Sequence, residues 1–117
     1  MKKILLVDDE PDILELIAEI LVERGHEIEV ARSGNEAIGK LKSLKFDVVL
    51  SDYKMSNGNG MSVLNFVNTL KIRPIFFLLS AQADESRATY LAKGAQFVID
   101  KPFDLDELIE KIEMVFI

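Results

Sequence analysis

The chain has no cysteine and one histidine, His26. The first absence removes disulfides and thiolate metal sites; the second removes a histidine-rich zinc site. Cationic side chains are in the minority: 14 Lys and Arg stand against 20 Asp and Glu, a net charge of −6. That balance argues against a nucleic-acid-binding surface in this domain. No apolar run reaches the roughly 20 residues that a membrane-spanning helix needs. The opening Met1-Lys2-Lys3-Ile4 leads into a strand pattern, not a secretory signal. No repeat, linker or low-complexity segment interrupts the chain. The expectation is a cytoplasmic protein without membrane contact.

What is present is a core. Hydrophobic residues make up 49% of the 117, which excludes disorder. The length is one domain's worth, so 1–117 reads as a single domain. Such a domain buries roughly two thirds of its unfolded-chain surface and needs no staple.

Short apolar runs alternate with amphipathic stretches, the pattern of repeated βα units and a parallel sheet. Lys3 to Val7 is apolar on both faces, as a central parallel strand should be. Asp9-Glu10-Pro11 opens a helix, since proline is tolerated in the first turn and acids suit the positive helix end. Ile13, Leu14, Ile17, Ile20 and Leu21 mark its inward face, and Gly25 ends it. Glu27 to Ala31 alternates as a strand near an edge, with Ile28 and Val30 inward. Ser33 with Glu36 is a capping-box pattern for a helix carrying Ala37, Ile38, Leu41 and Leu44. A third strand is expected over 46–51, followed by a turn-rich loop over 56–60. A helix over 62–70 turns Val63, Phe66, Val67 and Leu70 inward. Pro74 starts the fourth strand, where its missing N–H matters least. A weakly amphipathic helix over 84–93 stops at Gly94, and Phe97 to Asp100 is the fifth strand. Asp104 with Glu107 starts a last helix with Leu105, Leu108, Ile109, Ile112 and Phe116 in its stripe. The fold class is therefore α/β: a doubly wound, five-stranded parallel sheet, order 2-1-3-4-5, with helices on both faces. Right-handed crossovers leave few other topologies.

In such a sheet ligands bind beyond the carboxyl ends of the strands. Asp8 and Asp9, Asp52, Ser80 and Lys101 all stand at those ends. Three carboxylates at close range repel, each pair at 4 Å by about 4 kcal/mol at an effective dielectric of 20. A divalent ion with Lys101 balances them, and an all-oxygen site favours Mg²⁺, with Mn²⁺ as substitute. A backbone carbonyl in the loop after Asp52 could add a ligand. With the charges neutralised, an aspartate can be a nucleophile toward phosphorus. Asp52 is the better candidate, because it is single, central and followed by a loop. Ser80 could then hydrogen-bond a phosphoryl oxygen, and Lys101 could pair with another. Each residue alone has an ordinary explanation: Asp9 or Ser80 as a helix cap, Lys101 as a solvated lysine before proline. Their joint placement distinguishes the site.

The chain closely resembles the receiver domain of two-component response regulators, of the chemotaxis-regulator-like kind. The resemblance covers essentially the whole sequence. It rests on Val7-Asp8-Asp9-Glu10, Asp52-Tyr53-Lys54-Met55 with Asn59-Gly60, Leu79-Ser80-Ala81, Lys93-Gly94-Ala95 and Lys101-Pro102-Phe103. It implies a flavodoxin-like fold and a phosphorylation-activated signalling switch with Asp52 as phosphoacceptor. Asp9 would be the direct metal ligand, Asp8 would assist through water, and the Lys54 backbone carbonyl would complete the protein ligands. Ser80 would be the switch hydroxyl and Lys101 the phosphoryl-binding lysine, with Ala81 and Pro102 supporting and the Lys101–Pro102 bond cis. The implied partners are a histidine kinase or histidine phosphotransfer protein. A downstream effector would be reached through the face of helix 4, strand 5 and helix 5, with phosphorylation-dependent homodimerisation through that face as a further expectation. Enzymatic activity would be confined to the domain's own phosphorylation and dephosphorylation.

Three features bear on how this chain differs from the family pattern. Ser56 stands where proline is usual. Val98 stands three residues before the lysine, where an aromatic is usual, and Phe97 should point to the opposite face. Lys54 and Gln82 occupy the two variable positions that flank the phosphoryl site and would set the phosphate lifetime. Two other readings compete. A phosphatase or phosphotransferase working through Asp52 would want a second acid at position 54, which is lysine. A degenerate receiver acting only as a binding module would not be expected to retain every site residue. The stretch ends in or just after the fifth helix, so it reads either as a stand-alone regulator or as the N-terminal part of a longer one.

Overall fold

Four consecutive apolar residues in β1 (Lys3–Val7), from Ile4 to Val7, are all buried. A strand of that kind needs a helix layer on each side. The computed structural model describes residues 2–55, 57–81 and 87–115. Ser56, Gln82 and Phe116, all singled out above, and the first three residues of the helix expected over 84–93 lie outside the described residues. After β1 come α1 (Pro11–Glu23), β2 (Glu27–Ala31), α2 (Gly34–Ser43), β3 (Val48–Asp52) and α3 (Gly60–Val67). Then follow β4 (Ile75–Ser80), α4 (Arg87–Ala92), β5 (Phe97–Asp100) and α5 (Leu105–Met114). All pairings are parallel and the order is β2-β1-β3-β4-β5, as expected from the alternation of elements. β1 and β3 are thus neighbours, and Val7 lies opposite Ser51.

Strand alternation divides the interior in two. On one side Leu5, Val7, Val49, Phe76, Leu78 and Val98 pack with Ala37 and Leu41 of α2, Val63, Leu64 and Val67 of α3, and Tyr90 of α4. On the other, Ile4, Leu6, Leu50, Phe77, Leu79 and Ile99 pack with Leu14, Ile17 and Leu21 of α1 and Leu108, Ile109 and Ile112 of α5. Ile28 and Val30 of the edge strand pack, partly buried, against the second cluster.

Local signals account for most boundaries. The Ser33 hydroxyl accepts the Glu36 N–H at 3.1 Å while the Glu36 carboxylate accepts the Arg32 N–H at 3.0 Å. Asp104 caps α5 by accepting the Glu107 N–H at 3.1 Å. Gly25, at φ 91°, turns the chain out of α1. Several expectations shift, by a single residue where β4 begins at Ile75 rather than Pro74 and α4 ends at Ala92 rather than 93. β3 is Val48–Asp52 rather than 46–51, because pairing with β1 begins at Ile4 and Val48 and pairing with β4, where Asp52 lies opposite Leu79, carries Asp52 into the strand. α3 begins at Gly60 rather than 62, because the Asn59 side chain caps it by accepting the Ser62 N–H at 3.0 Å, and it ends at Val67 rather than 70. Ile13 and Leu44, expected inward, are exposed: Ile13 stands beside the buried stripe of α1, and Leu44 lies past the end of α2.

The N-terminus of α2 docks onto the loop after β3. The Gly34 and Asn35 N–H groups donate to the carbonyls of Gly58 and Asn57 at 2.9 and 3.1 Å. A Cβ on Gly34 would run into the Gly58 carbonyl, whereas one on Gly39 would meet nothing within 4 Å. Gly39→Ala is therefore expected to stabilise the fold by about 0.5–1 kcal/mol through helix propensity. Gly34→Ala should instead destabilise it by about 1–3 kcal/mol through overpacking. Urea unfolding checks both, and equal effects of the two substitutions would contradict the close approach.

Candidate functional site at the carboxyl ends of the strands

Each polar group of the site is held by a strand end. Beyond β1, the Asp8 N–H donates to the Ala31 carbonyl at 3.1 Å, and its carboxylate accepts the Glu10 N–H at 3.0 Å. The N-cap residue Glu10 makes no side-chain cap bond, and the Asp8 carboxylate serves the mouth of α1. Asp8 is 5% exposed, whereas Asp9 is open to solvent. Asp52 ends β3 and is 4% exposed. Carboxylate oxygens of Asp8, Asp9 and Asp52 all lie within 4.8 Å of one another. Lys101 follows β5, and its Nζ sits 2.7 Å from Asp52 Oδ1. The Lys101 N–H donates to the Ser80 carbonyl at 2.8 Å, which ties the ends of β5 and β4 together. The Lys101–Pro102 bond is cis, as the resemblance implies.

Ser80 ends β4, next to the strand that carries Asp52. It is buried, and its hydroxyl donates to the Ala81 carbonyl at 3.3 Å. Past Asp52, the Tyr53 N–H donates to Leu79 O at 2.9 Å, and the Tyr53 carbonyl accepts the Gly60 N–H at 2.8 Å. The loop thus returns at once to the strand end. A Cβ on Gly60 would lie 2.5 Å from the Asp52 carbonyl, so glycine is needed there. Lys54 is exposed two residues beyond Asp52.

Burial raises the proton affinity of two of the acids. It pushes Asp8 from 3.8 up to about 6, with a smaller push from Asp52, against the Glu10 N–H and Lys101. Burial also raises Asp52, outweighing the hydrogen bond and charge of Lys101 and the Tyr53 N–H. For Lys101 burial pulls down, but the hydrogen bond and charge of Asp52, followed by Asp8, carry it above its ordinary value. Three acids against one ammonium leave the cluster short of positive charge. Its donors are all oxygens, the set that suits Mg²⁺ or Mn²⁺.

The aromatic arrangement was only partly legible beforehand. Val98 is buried among the residues facing α2, α3 and α4. Phe97 lies on the opposite face, stacked on Phe77 with ring centroids 4.6 Å apart, as strand alternation required. Sequence reasoning missed Tyr53 and Tyr90, whose rings meet at 5.3 Å and 47°. It also missed Arg87, which donates to the Val98 carbonyl and pairs with Asp100, both at 2.7 Å. The helix over 84–93 looked polar and weakly amphipathic, and helical spacing alone did not single out Tyr90. A tyrosine in so polar a segment was the available signal.

The folded chain binds a proton at Asp8 more readily than the unfolded chain does. Its contribution to stability is present below about pH 4 and is lost as pH rises through about 6. Above that, the buried charge costs about 3 kcal/mol. Without divalent ions, Asp8→Asn should therefore be the more stable protein at pH 7, by about 1–3 kcal/mol, with the gap narrowing toward pH 5. Chemical denaturation of both proteins across that range measures it, and a pH-independent gap would contradict the raised value.

Comparison with known proteins agrees with this geometry. The family model for the response regulator receiver domain matches residues 4–113. The transcriptional regulatory protein TrcR of Mycobacterium tuberculosis is 34% identical over 111 residues, which cover 94% of this chain and 43% of TrcR. The CpxR homolog of Haemophilus influenzae is 34% identical over 115 residues, 98% of this chain and 50% of that protein. The chain thus spans about half the length of the curated relatives it matches. Among solved structures, the Francisella response regulator 1452 receiver domain superposes with a TM-score of 0.91 at 29% identity, covering 99% of this chain and 97% of that one. The response regulator TrrA of Thermotoga maritima, solved in complex with Mg(2+)-BeF, gives 0.84 at 37% identity, covering 97% and 98%. Sequence relatives and structural neighbours converge, and the chain belongs to the receiver-domain family of two-component response regulators.

Proposed function

We propose that this domain is a phosphorylation-activated switch of a phosphorelay, with Asp52 as the phosphoacceptor. The observation that carries this reading is the setting of Asp52. It is a buried strand-end carboxylate, held at 2.7 Å by an ammonium and within 4.8 Å of two further acids. A group so placed can attack phosphorus only when its surroundings neutralise both its own charge and that of the incoming phosphoryl group. Lys101 supplies part of the neutralisation. Asp9, Asp52 and the Lys54 backbone carbonyl would hold Mg²⁺, with Asp8 assisting through water. The bound ion supplies the positive charge that the cluster lacks. The relative solved with Mg(2+)-BeF supports this assignment.

An Asp52 oxygen bonds to phosphorus as the P–N bond of a donor phosphohistidine breaks, and the imidazole leaves. Lys101 then pairs with a phosphoryl oxygen, and the Ser80 hydroxyl turns from the Ala81 carbonyl to donate to another. Ala81 and Pro102 frame these two residues. Hydrolysis of the acyl phosphate resets the switch. Lys54 follows Asp52 by two residues, and its long chain impedes the attacking water.

The donor is a histidine kinase or histidine phosphotransfer protein. A groove between α1 and the turn into α5 opens onto Asp8 and Lys101 and is walled by Ile13, Leu16, Phe103 and Leu105. Its apolar wall suits a helical donor that presents histidine to Asp52, which gives the exposure of Ile13 and Leu16 a use. Output passes through the face of α4, β5 and α5, either to an effector or to a second copy. Several relatives are named transcriptional regulatory proteins, so control of transcription is the output favoured for a longer protein carrying this domain. The net charge of −6 argues against DNA contact by this domain itself. Among the described residues, no helix is long and apolar enough to cross a membrane.

Incubation with acetyl phosphate and Mg²⁺ is expected to produce a phosphoaspartate signal that Asp52→Asn abolishes. Persistence of the label in that variant would remove Asp52 from its role. Lys54→Ala should lose phosphate several times faster than the parent, and an unchanged decay would refute the shielding by Lys54.

A further inference from the structure

A contact leads from the residue after Asp52 toward α4. Tyr53 follows Asp52 directly and is tied to the site by its backbone, through Leu79 O on one side and the Gly60 N–H on the other. Its side chain packs against the interior that holds Val98. There it meets Tyr90, whose ring is 5.3 Å away. Tyr90 is the buried residue of α4 and has no solvent exposure. Around it, α4 is held at both ends. Arg87 bonds the Val98 carbonyl and Asp100 at the start, and Asn68 Nδ2 donates to the Lys93 carbonyl at 2.8 Å just past the end. Gly94, at φ 112° and packed on the Asn68 side chain, completes the far clamp. The ring contact thus lies midway between two anchors and joins the residue after Asp52 to the centre of α4.

We propose that the Tyr53–Tyr90 contact couples the Asp52 site to the position of α4, with Tyr90 acting as a positioning residue. The inference rests on Asp52 being the phosphoacceptor. A packed interior does not deform continuously, so a shift at Tyr53 must be taken up by the ring against it. The backbone of Tyr53 has little freedom to adjust independently of Asp52, because its N–H is bonded to the end of β4 and its carbonyl to the first N–H of α3. A tilted aromatic pair depends on orientation, so its energy changes when one ring moves relative to the other. Val98, short and buried in the same cluster, leaves the contact to the two tyrosines. Linkage requires the effect to run both ways: what moves α4 also alters affinity at Asp52.

The test measures hydrogen exchange at the backbone amides of 90–95, with and without Mg²⁺ and beryllofluoride as phosphoryl mimic. The proteins are the parent, Tyr53→Leu, Tyr90→Leu, the double variant and Tyr90→Phe, each checked for a cooperative melt. In the parent, the mimic is expected to change exchange at these amides. Tyr53→Leu, which alters a half-buried position and spares the buried one, should bind the mimic while the response in α4 is lost. Either leucine variant should alter mimic affinity by roughly two- to tenfold, the range an aromatic pair commands. The double variant should do no more than one single, because both remove the same contact. Tyr90→Phe keeps the ring and should keep the coupling. An undiminished α4 response in both leucine variants, or additive effects in the double variant, overturns the relay while leaving Asp52 as phosphoacceptor. Failure of the parent to bind the mimic overturns the phosphoacceptor reading and the relay with it.

Discussion

Lys101 Nζ, 2.7 Å from Asp52 Oδ1, joins the edge strand β5 to the central strand β3 at the acidic end of the sheet. The contact has to form across the intervening end of β4. It is possible because the Lys101 N–H is fixed on the Ser80 carbonyl while Asp52 lies opposite Leu79. The other groups of the site take their character from it. Asp52 can stay charged while buried only with such a partner close by, and even so burial leaves its carboxyl above the ordinary range. Asp8 has the Glu10 N–H and the more distant charge of Lys101, and is pushed up to about 6. One ammonium thus serves a cluster of three acids, and the remaining imbalance is what suits the cluster to a divalent cation.

The same constraint explains where the polar groups are. Strands buried on both faces have no place for charge along their length. Ile4 to Val7, Val48 to Leu50 and Phe76 to Leu79 are all buried and apolar. Polarity begins where each strand ends, and the parallel arrangement puts those ends on one side. Stability and function therefore use different parts of the same strands. The two hydrophobic clusters fix the sheet, and the sheet fixes the distances among residues that would otherwise repel.

Much of this was legible in the chain. Ile13, Leu14, Ile17, Ile20 and Leu21 announced α1, and Ser33 with Glu36 announced α2, because capping and helical spacing are local. Asp8, Asp9, Asp52 and Lys101 were legible as strand-end residues for the same reason. The start of α3 was misplaced by two residues because its cap, Asn59, stood inside what looked like a continuous turn. Ile13 was assigned inward because the spacing admits it, whereas the packing of α1 beside α5 left it at the rim of a groove.

The sequence by itself determined the elements, their alternation and the chemical types at the strand ends, because these depend on residues near one another along the chain. It also held the family pattern, including the unusual Val98. Only the tertiary structure decided that the Asp8 carboxylate serves the start of α1. The same holds for the ring of Tyr90, which lies against Tyr53, and for Arg87, which reaches the carbonyl of Val98. Those contacts join residues far apart in sequence, and their geometry follows from how the helices seat on the sheet. Burial too is a property of the assembled layers, and it is burial that raises the proton affinity of two of the acids.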